Sequence, residues 1–252
     1  MSATGLNGRR AIYTGGAGGL GTGATLELLA EGIEVHVLDR DRAKLSALQA
    51  QVPGGLRDQL CLHEVDLLDR AALWACLEGI VAERAADVVI NNAALYPSKP
   101  FEDFTDAELT AVHGVNVEAA IACTRAALPG MRAQGWGRIL NVTSITLSGQ
   151  WENLTPYVQS KGALLGLTRA WAREFGKWGV TVNAIAPGAF PTDAEKIHPD
   201  PEGYNAMVLD RQAVKRRGTP ADIAATIRFL ASDAAGFITG QSLAVNGGWI
   251  ME

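Results

Sequence analysis

Cysteine is scarce in this chain of 252 residues. There are three, Cys61, Cys76 and Cys123, widely spaced and without a C-x-x-C pair. An odd, scattered set supports neither a disulfide framework nor a structural zinc, and it suits a reducing cytoplasm. The four histidines, His36, His63, His113 and His198, show no H-E-x-x-H or similar spacing. No metal is therefore expected in the chemistry. No apolar run reaches the ~20 residues that span a bilayer. The opening MSATGLNGRRAIYTGG has no apolar stretch long enough for a signal peptide. There is no basic excess either: 22 Lys and Arg stand against 27 Asp and Glu, for a formal net charge of −5. Neither nucleic acid nor an anionic membrane is an expected partner.

Apolar residues and glycine are plentiful. Hydrophobic residues reach 48%, enough for a substantial core, and there are 28 glycines. The length suits one large α/β unit, and no linker-like stretch, repeat or low-complexity tract divides it. Strand and helix patterns alternate along the whole chain. RRAIYTG (9–15), IEVHVLDR (33–40), QLCLHEVD (59–66), DVVINNAA (87–94), GRILNVTS (137–144), VTVNAIAPG (180–188) and SLAVNGG (242–248) read as strands. Helical patterns lie at 20–32, 42–52, 70–85, roughly 105–133, 156–179 and 221–232. Segment 189–217 reads as irregular with helical parts. The pattern predicts one doubly wound, mostly parallel α/β sheet of the Rossmann type over 1–252, with helices on both faces.

Three constellations carry chemistry. The first is TGGAGGLG (14–21), a glycine turn after the first strand that opens the first helix. Gly15, Gly19 and Gly21 let the backbone approach a pyrophosphate, with the helix N-terminus facing the charge. The second is Asp39, which ends the second strand eighteen residues past Gly21. A carboxylate there accepts from both ribose hydroxyls and repels a 2′-phosphate, which favours NAD over NADP. Arg40 beside it offers a guanidinium that could instead meet a phosphate. Asp66, ending the third strand, is placed either to hold an adenine amine or to cap the next helix. The third is TPYVQSKGALLG (155–166), which sets Tyr157 and Lys161 one helical turn apart. A neighbouring ammonium favours phenolate, lowering a pKa otherwise near 10 and making the phenol a general acid/base. Alone, such a pair is also what any exposed helix face offers.

Together these motifs resemble the short-chain dehydrogenase/reductase family over nearly the whole length. The matching residues are T-G-x-x-x-G-x-G at 14–21, Asp66, N-N-A at 91–93, Asn116, Ser144, Tyr157-x-x-x-Lys161 and P-G-x-x-x-T at 187–192. F-L-A-S-D, I-T-G-Q and V-N-G-G between 229 and 248 are also similar to the family's C-terminal pattern. The resemblance implies Tyr157 as catalytic acid/base and Ser144 as donor to the substrate oxygen. It implies that Lys161 holds the nicotinamide ribose and lowers the Tyr157 pKa. Asn116 would anchor a proton-relay water to Lys161. The cofactor set it implies is Gly15, Gly19, Leu20, Gly21, Asp39, Arg40, Asp66, Leu67, Asn92, Ala93, Tyr157, Lys161, Pro187, Gly188 and Thr192. Two departures stand out. Ala94 replaces a frequent glycine after N-N-A, and Asn246 replaces a frequent Asp before Gly247, which bears on a subunit contact.

The implied activity is NAD(H)-dependent interconversion of a secondary alcohol with its carbonyl. A sugar or lactol hydroxyl and an aryl or alkyl carbinol are the candidate substrates. The alternatives are a 3-oxoacyl-carrier-protein reductase, for which Arg125, Arg132 and Arg169 would meet the acidic carrier, and a non-catalytic dinucleotide-sensing scaffold. In the family the loop after Ser144 sits beside the substrate. Ser144, Thr146, Gln150, Trp151 and Tyr157, with Glu152 and Asn153, are therefore expected there, and Tyr96 and Phe190 are expected to line the pocket. Lys196 and His198 lie on the variable segment that lids it and are placed either to neutralise an anionic substrate or simply to face solvent. Leu164, Leu167 and Trp171 exceed what one helix face can hide. Trp249, Ile250 and Met251 need cover as well. The resemblance implies a homotetramer built on that helix and the last strand.

Overall fold

The computed structural model describes residues 4–192, 195 and 198–251. One sheet takes seven strands: β1 (Arg10–Thr14), β2 (Glu34–Asp39), β3 (Leu60–Glu64), β4 (Val88–Asn91), β5 (Gly137–Val142), β6 (Val180–Pro187) and β7 (Ser242–Val245). Their order is β3-β2-β1-β4-β5-β6-β7, and every pairing is parallel. The central strands β1, β4, β5 and β6 are buried on both faces, as their unbroken apolar runs require. The order reverses between β1 and β4, which opens a crevice at the carboxyl ends of the strands.

Helices cover both faces. α1 (Gly21–Ala30), α2 (Arg42–Gln51) and α8 (Pro220–Ala231) pack on one side through Leu28, Leu45, Leu48, Ile223 and Ile227. α3 (Arg70–Glu83), α5 (Ala119–Gln134) and α6 (Thr155–Phe175) pack on the other through Leu73, Leu77, Cys123, Ala172 and Phe175. α4 (Asp106–His113) and α7 (Pro201–Arg211) complete the set. Starts and stops follow side-chain chemistry. Asp41 and Asp69 accept from the first-turn amides of α2 and α3, and a Thr105–Glu108 capping box opens α4.

Three boundaries differ from the sequence expectation. The helix expected near 105–133 is two helices joined by a π-helical turn, Gly114–Glu118. The strand expected at 87–94 stops at Asn91, because Asn92 and Ala93 turn their amides onto the Thr14 hydroxyl, at 3.1 and 3.2 Å. The helix expected to reach 179 ends at Phe175, and a 3-10 turn follows up to Gly179, which adopts φ 70°. Among the described residues of segment 189–217 there is one regular helix, α7.

Candidate active site

The crevice holds two cavities of about 290 and 160 Å3, and Asn92 lines both. The first begins at the glycine turn. Gly15 adopts φ +67°, and a Cβ there would lie 3.0 Å from both the Ala93 Cα and the Asn92 Nδ2. A Cβ on Gly21 would lie 2.3 Å from the Gly15 carbonyl oxygen. The turn closes only because both positions lack a side chain. α1 starts directly behind it with no side-chain cap and no acidic residue in its first turn. Its positive end is therefore offset by no carboxylate of its own, which fits a pyrophosphate.

Asp39, Arg40, Asp66, Leu67, Asn92, Ala93 and Ala94 all line this first cavity. So do Gly18 and Lys44, which the sequence reading did not single out. Gly19 and Gly21 do not reach its wall. Gly21 is buried under the turn, and Gly19 gives clearance to Thr192, whose Cγ2 would sit 2.9 Å from a Cβ there. Asp39 accepts the Asp41 amide at 3.1 Å, and Asp66 accepts that of Leu68 at 2.9 Å.

Ser144, Tyr157 and Lys161 meet in the second cavity, with Leu20, Tyr96, Thr146, Trp151, Pro187, Gly188, Phe190 and Thr192. Pro156 at the start of α6 presets its first turn. A polar chain then fixes the helix. Asn91 donates to Asn141 at 2.8 Å, Asn141 to Thr168 at 2.9 Å, and Thr168 to the Leu164 carbonyl at 2.8 Å. Ser144, at the end of β5, accepts the Thr146 amide at 3.1 Å. Its hydroxyl also bonds Tyr157. Tyr96 stands edge-on to the Tyr157 ring, 4.4 Å between centroids.

The electrostatics correct one expectation. The Lys161 ammonium does not pull the Tyr157 phenol down. Burial pushes the phenol above its ordinary 10.0, against a smaller opposing effect of the Ser144 hydrogen bond. Burial also lowers Lys161 to about 7. Its Nζ donates to the Val142 carbonyl at 2.6 Å and lies 5.3 Å from the Tyr157 ring centroid. Both groups share one desolvated pocket, and loss of water outweighs their mutual effect. Lys161 binds its proton up to about 7 when folded and up to 10.5 as an ordinary lysine. The penalty of a buried ammonium is thus complete below pH 7 and relieved as pH rises toward 10. Urea unfolding of the protein and of Lys161→Met across pH 7–10 should show the native chain gaining on the variant, by at most about 1.4 kcal/mol per pH unit. A pH-independent difference would contradict the burial argument.

Asn116 occupies the π turn and is buried. Its Oδ1 accepts the Leu95 amide at 2.7 Å, while its Nδ2 donates to the Leu95 carbonyl at 3.1 Å and to Ser160 Oγ at 2.8 Å. Ser160 donates to the Tyr157 carbonyl at 2.7 Å. The side chain therefore struts the loop after β4 against α6, and no hydrogen bond joins it to Lys161.

Several expected substrate contacts lie outside the cavity. Gln150 is exposed and accepts from Arg211 at 3.3 Å and Trp249 at 3.4 Å. Glu152 and Asn153 are exposed, and Asn153 turns at φ 62°. Polar loop residues turn to solvent while Trp151 turns inward, its ring tilted on Trp249 at 5.4 Å. His198 lines the cavity, stacked on Tyr204 at 3.7 Å. Burial lowers its pKa, so it brings no charge at neutral pH. Lys196 lies outside the described residues. The reading missed Tyr204, from α7, and Glu195, which the Arg217 guanidinium holds. Neither belongs to a motif; only the placement of Glu195 and of α7 at the pocket reveals them. Asn246 is buried and folds the C-terminal turn of its own chain, bonding Ile250, Gly248 and Trp249.

Comparison with known proteins agrees with this geometry. The model of a family described as enoyl-(acyl carrier protein) reductase matches residues 15–250. D-xylose 1-dehydrogenase from Caulobacter vibrioides is 33% identical over 97% of this chain and 96% of its own. Acetoacetyl-CoA reductase from Rhizobium meliloti is also 33% identical, over 95% and 98%. The chain belongs to the short-chain dehydrogenase/reductase family. A solved structure from Beutenbergia cavernae, named as a candidate NAD(P) dependent gluconate 5-dehydrogenase with NADP at low occupancy, superposes with a TM-score of 0.89. It is 32% identical and covers 97% of each chain. The protein is an oxidoreductase of a family that works with nicotinamide dinucleotides, and no helix among its described residues is long and apolar enough to cross a membrane.

Proposed function

We propose that this short-chain dehydrogenase uses NAD(H) to interconvert a secondary alcohol with its carbonyl on a neutral, hydroxylated ring such as an aldose or lactol. The observation that carries the reaction is the meeting of Ser144, Tyr157 and Lys161 in the cavity that adjoins the glycine turn. The bound nicotinamide supplies or accepts the hydride. Ser144 and Tyr157 hold the reacting oxygen, whose alkoxide character two fixed hydroxyls stabilise. Tyr157 holds the exchanged proton on its phenol oxygen. Lys161 would hold the nicotinamide ribose, and Tyr96 braces the Tyr157 ring. Segment 189–217 serves as the lid.

The substrate class rests on the pocket's charge. Among its described lining residues Glu195 is the one carboxylate, and Lys161, lowered by burial to about 7, is only partly charged at neutral pH. Burial raises the Glu195 pKa, and the Arg217 guanidinium works against that shift. A carboxylate beside Tyr96, Tyr204 and Trp151 accepts from sugar hydroxyls and repels an anionic chain. An absorbance panel of neutral aldoses, aryl carbinols, aldonates and acetoacetyl-CoA, each with NAD and NADP, tests this. Neutral aldoses should be oxidised fastest. Glu195→Gln should raise their KM by about tenfold or more, the worth of a charge-assisted hydrogen bond. Preference for aldonates would sink the substrate class. A second reading, a 3-oxoacyl thioester reductase, draws on the acetoacetyl-CoA reductase relative and would appear as turnover of that thioester. Arg125, Arg132 and Arg169 are exposed on α5 and α6 and line neither cavity.

We also propose self-association, as a homotetramer. Leu164 is buried within the chain, while Leu167 and Trp171 on α6 are half-buried. Phe237, Leu243 and Met251 are exposed on or near β7 and the C-terminal tail, and a subunit contact would cover such apolar side chains. Light scattering at micromolar concentration should give a mass near four chains; one near 26.6 kDa would refute assembly.

A further inference from the structure

Chain spacing shows no metal motif, yet the register of two strands brings metal-ligand chemistry together at the start of β2. Glu34 and His36 alternate on β2, and Cys61 and His63 alternate on β3. His36 pairs directly with Cys61 across the parallel ladder. Alternate residues of neighbouring strands share one face. That face lies under the C-terminal half of α3, where Arg10 donates to the Ile80 and Arg84 carbonyls. A carboxylate oxygen of Glu34, a ring nitrogen of His36 and the Cys61 sulfur all lie within 4.8 Å of one another.

We propose that Glu34, His36 and Cys61 form a site for a thiophilic divalent cation of the zinc type, clasping the edge strand β3 to β2. The donors are one carboxylate, one imidazole and one thiol, the mixture zinc accepts. Tetrahedral zinc with bonds of about 2.0–2.3 Å needs donors about 3.3–3.8 Å apart. Donors that lie up to 4.8 Å apart close by about 1.5 Å at most, while the His36–Glu34 pair at 2.9 Å opens by about 0.4 Å. The ion takes the place of the proton now shared between His36 Nε2 and Glu34 Oε1, which are 2.9 Å apart. His63 completes the arrangement. Its Nε2 lies 3.0 Å from His36 Nδ1, with the rings stacked. On binding, the His36 proton leaves Nε2 and Nδ1 carries one, exchanged through solvent; His63 Nε2 accepts a hydrogen bond from Nδ1–H and so holds the tautomer whose Nε2 lone pair faces the ion. Binding releases the Cys61 proton, since the thiolate is the ligand.

Every charge around the site enters the balance. Arg10 and Arg84 hold the two Glu34 oxygens at 2.7 and 2.9 Å. They oppose a cation but orient the carboxylate. Glu83 on α3 lies 3.5 Å from Arg10 and is mostly exposed, so it offsets one guanidinium, and water supplies the fourth ligand. Among the described residues no other group of three His, Cys, Asp or Glu side chains offers donors so close.

The test uses the full chain after treatment with a chelator. Cobalt(II) should bind with one equivalent per chain and give a thiolate-to-cobalt charge-transfer band, which zinc abolishes by displacement. Cys61→Ser should remove the band and weaken zinc binding by about tenfold or more; His36→Asn should weaken it comparably, and Cys76→Ser should change nothing. Circular dichroism reports whether each variant folds. The native chain supplies an independent measurement should a variant not fold. Zinc should slow alkylation of Cys61 by iodoacetamide at least tenfold while leaving Cys76 unaffected. Absence of the band, its persistence in folded Cys61→Ser, or equal alkylation with and without zinc would overturn the proposal.

Discussion

Tyr157→Phe should keep its fold and its dinucleotide affinity and lose about 10²-fold or more of its turnover. The ring still fills the pocket against Tyr96, so packing changes little. What disappears is the hydroxyl that exchanges the proton. Isothermal titration with NAD and a stopped-flow absorbance assay separate the two properties. Near-normal turnover would remove Tyr157 from the acid/base role. The raised phenol pKa adds a direction. At neutral pH the residue is a neutral phenol, the form that donates a proton to a carbonyl oxygen. Carbonyl reduction should therefore dominate near pH 7, and alcohol oxidation should strengthen as pH rises toward the phenol's pKa. A flat oxidation rate from pH 7 to 10 would mean that phenol ionisation does not limit the step.

Asp39→Ala should carry the second large effect, on cofactor choice. In the proposed pose the carboxylate accepts from the adenosine ribose hydroxyls and repels a 2′-phosphate. Losing charge-assisted bonds of about 1.5–3 kcal/mol should raise the KM for NAD by roughly 10- to 100-fold. The KM for NADP should fall, because Arg40 and Lys44 line the same cavity and remain. The ratio of kcat/KM for the two cofactors is the readout. If the native enzyme already prefers NADP, Arg40 and Lys44 are the readers and Asp39 is not. The NADP carried by the Beutenbergia structure makes this a direct test.

The alternation of strand and helix was legible in the sequence because burial leaves its period in residue order. Apolar runs bounded by glycine and proline placed all seven strands within a few residues. The glycine turn, Asp39 and the Tyr157–Lys161 pair were legible because each depends on neighbours close in the chain: a turn, a strand end, one turn of helix. Ser144 was legible only through the resemblance to a known family. The failures share the opposite cause. Gln150 and Trp151 are adjacent, yet one faces solvent and the other the cavity, and packing against Trp249 makes that choice. Asn116 ties the loop after β4 to α6 through Leu95 and Ser160, a packing role that only the fold reveals beside the relay role the resemblance implies.

By itself, then, the sequence determined the doubly wound sheet and the one-turn spacing of Tyr157 and Lys161, which rest on local spacing and periodicity, while the oxidoreductase class rested on the resemblance of its motifs to a known family. Only the tertiary structure decided the protonation balance of Tyr157 and Lys161, the entry of Glu195 and Tyr204 into the pocket, and the meeting of Glu34, His36 and Cys61. Those depend on burial and on strand register. Both are set by the whole core, so residues far apart in the chain acquire a shared environment that no window of sequence contains.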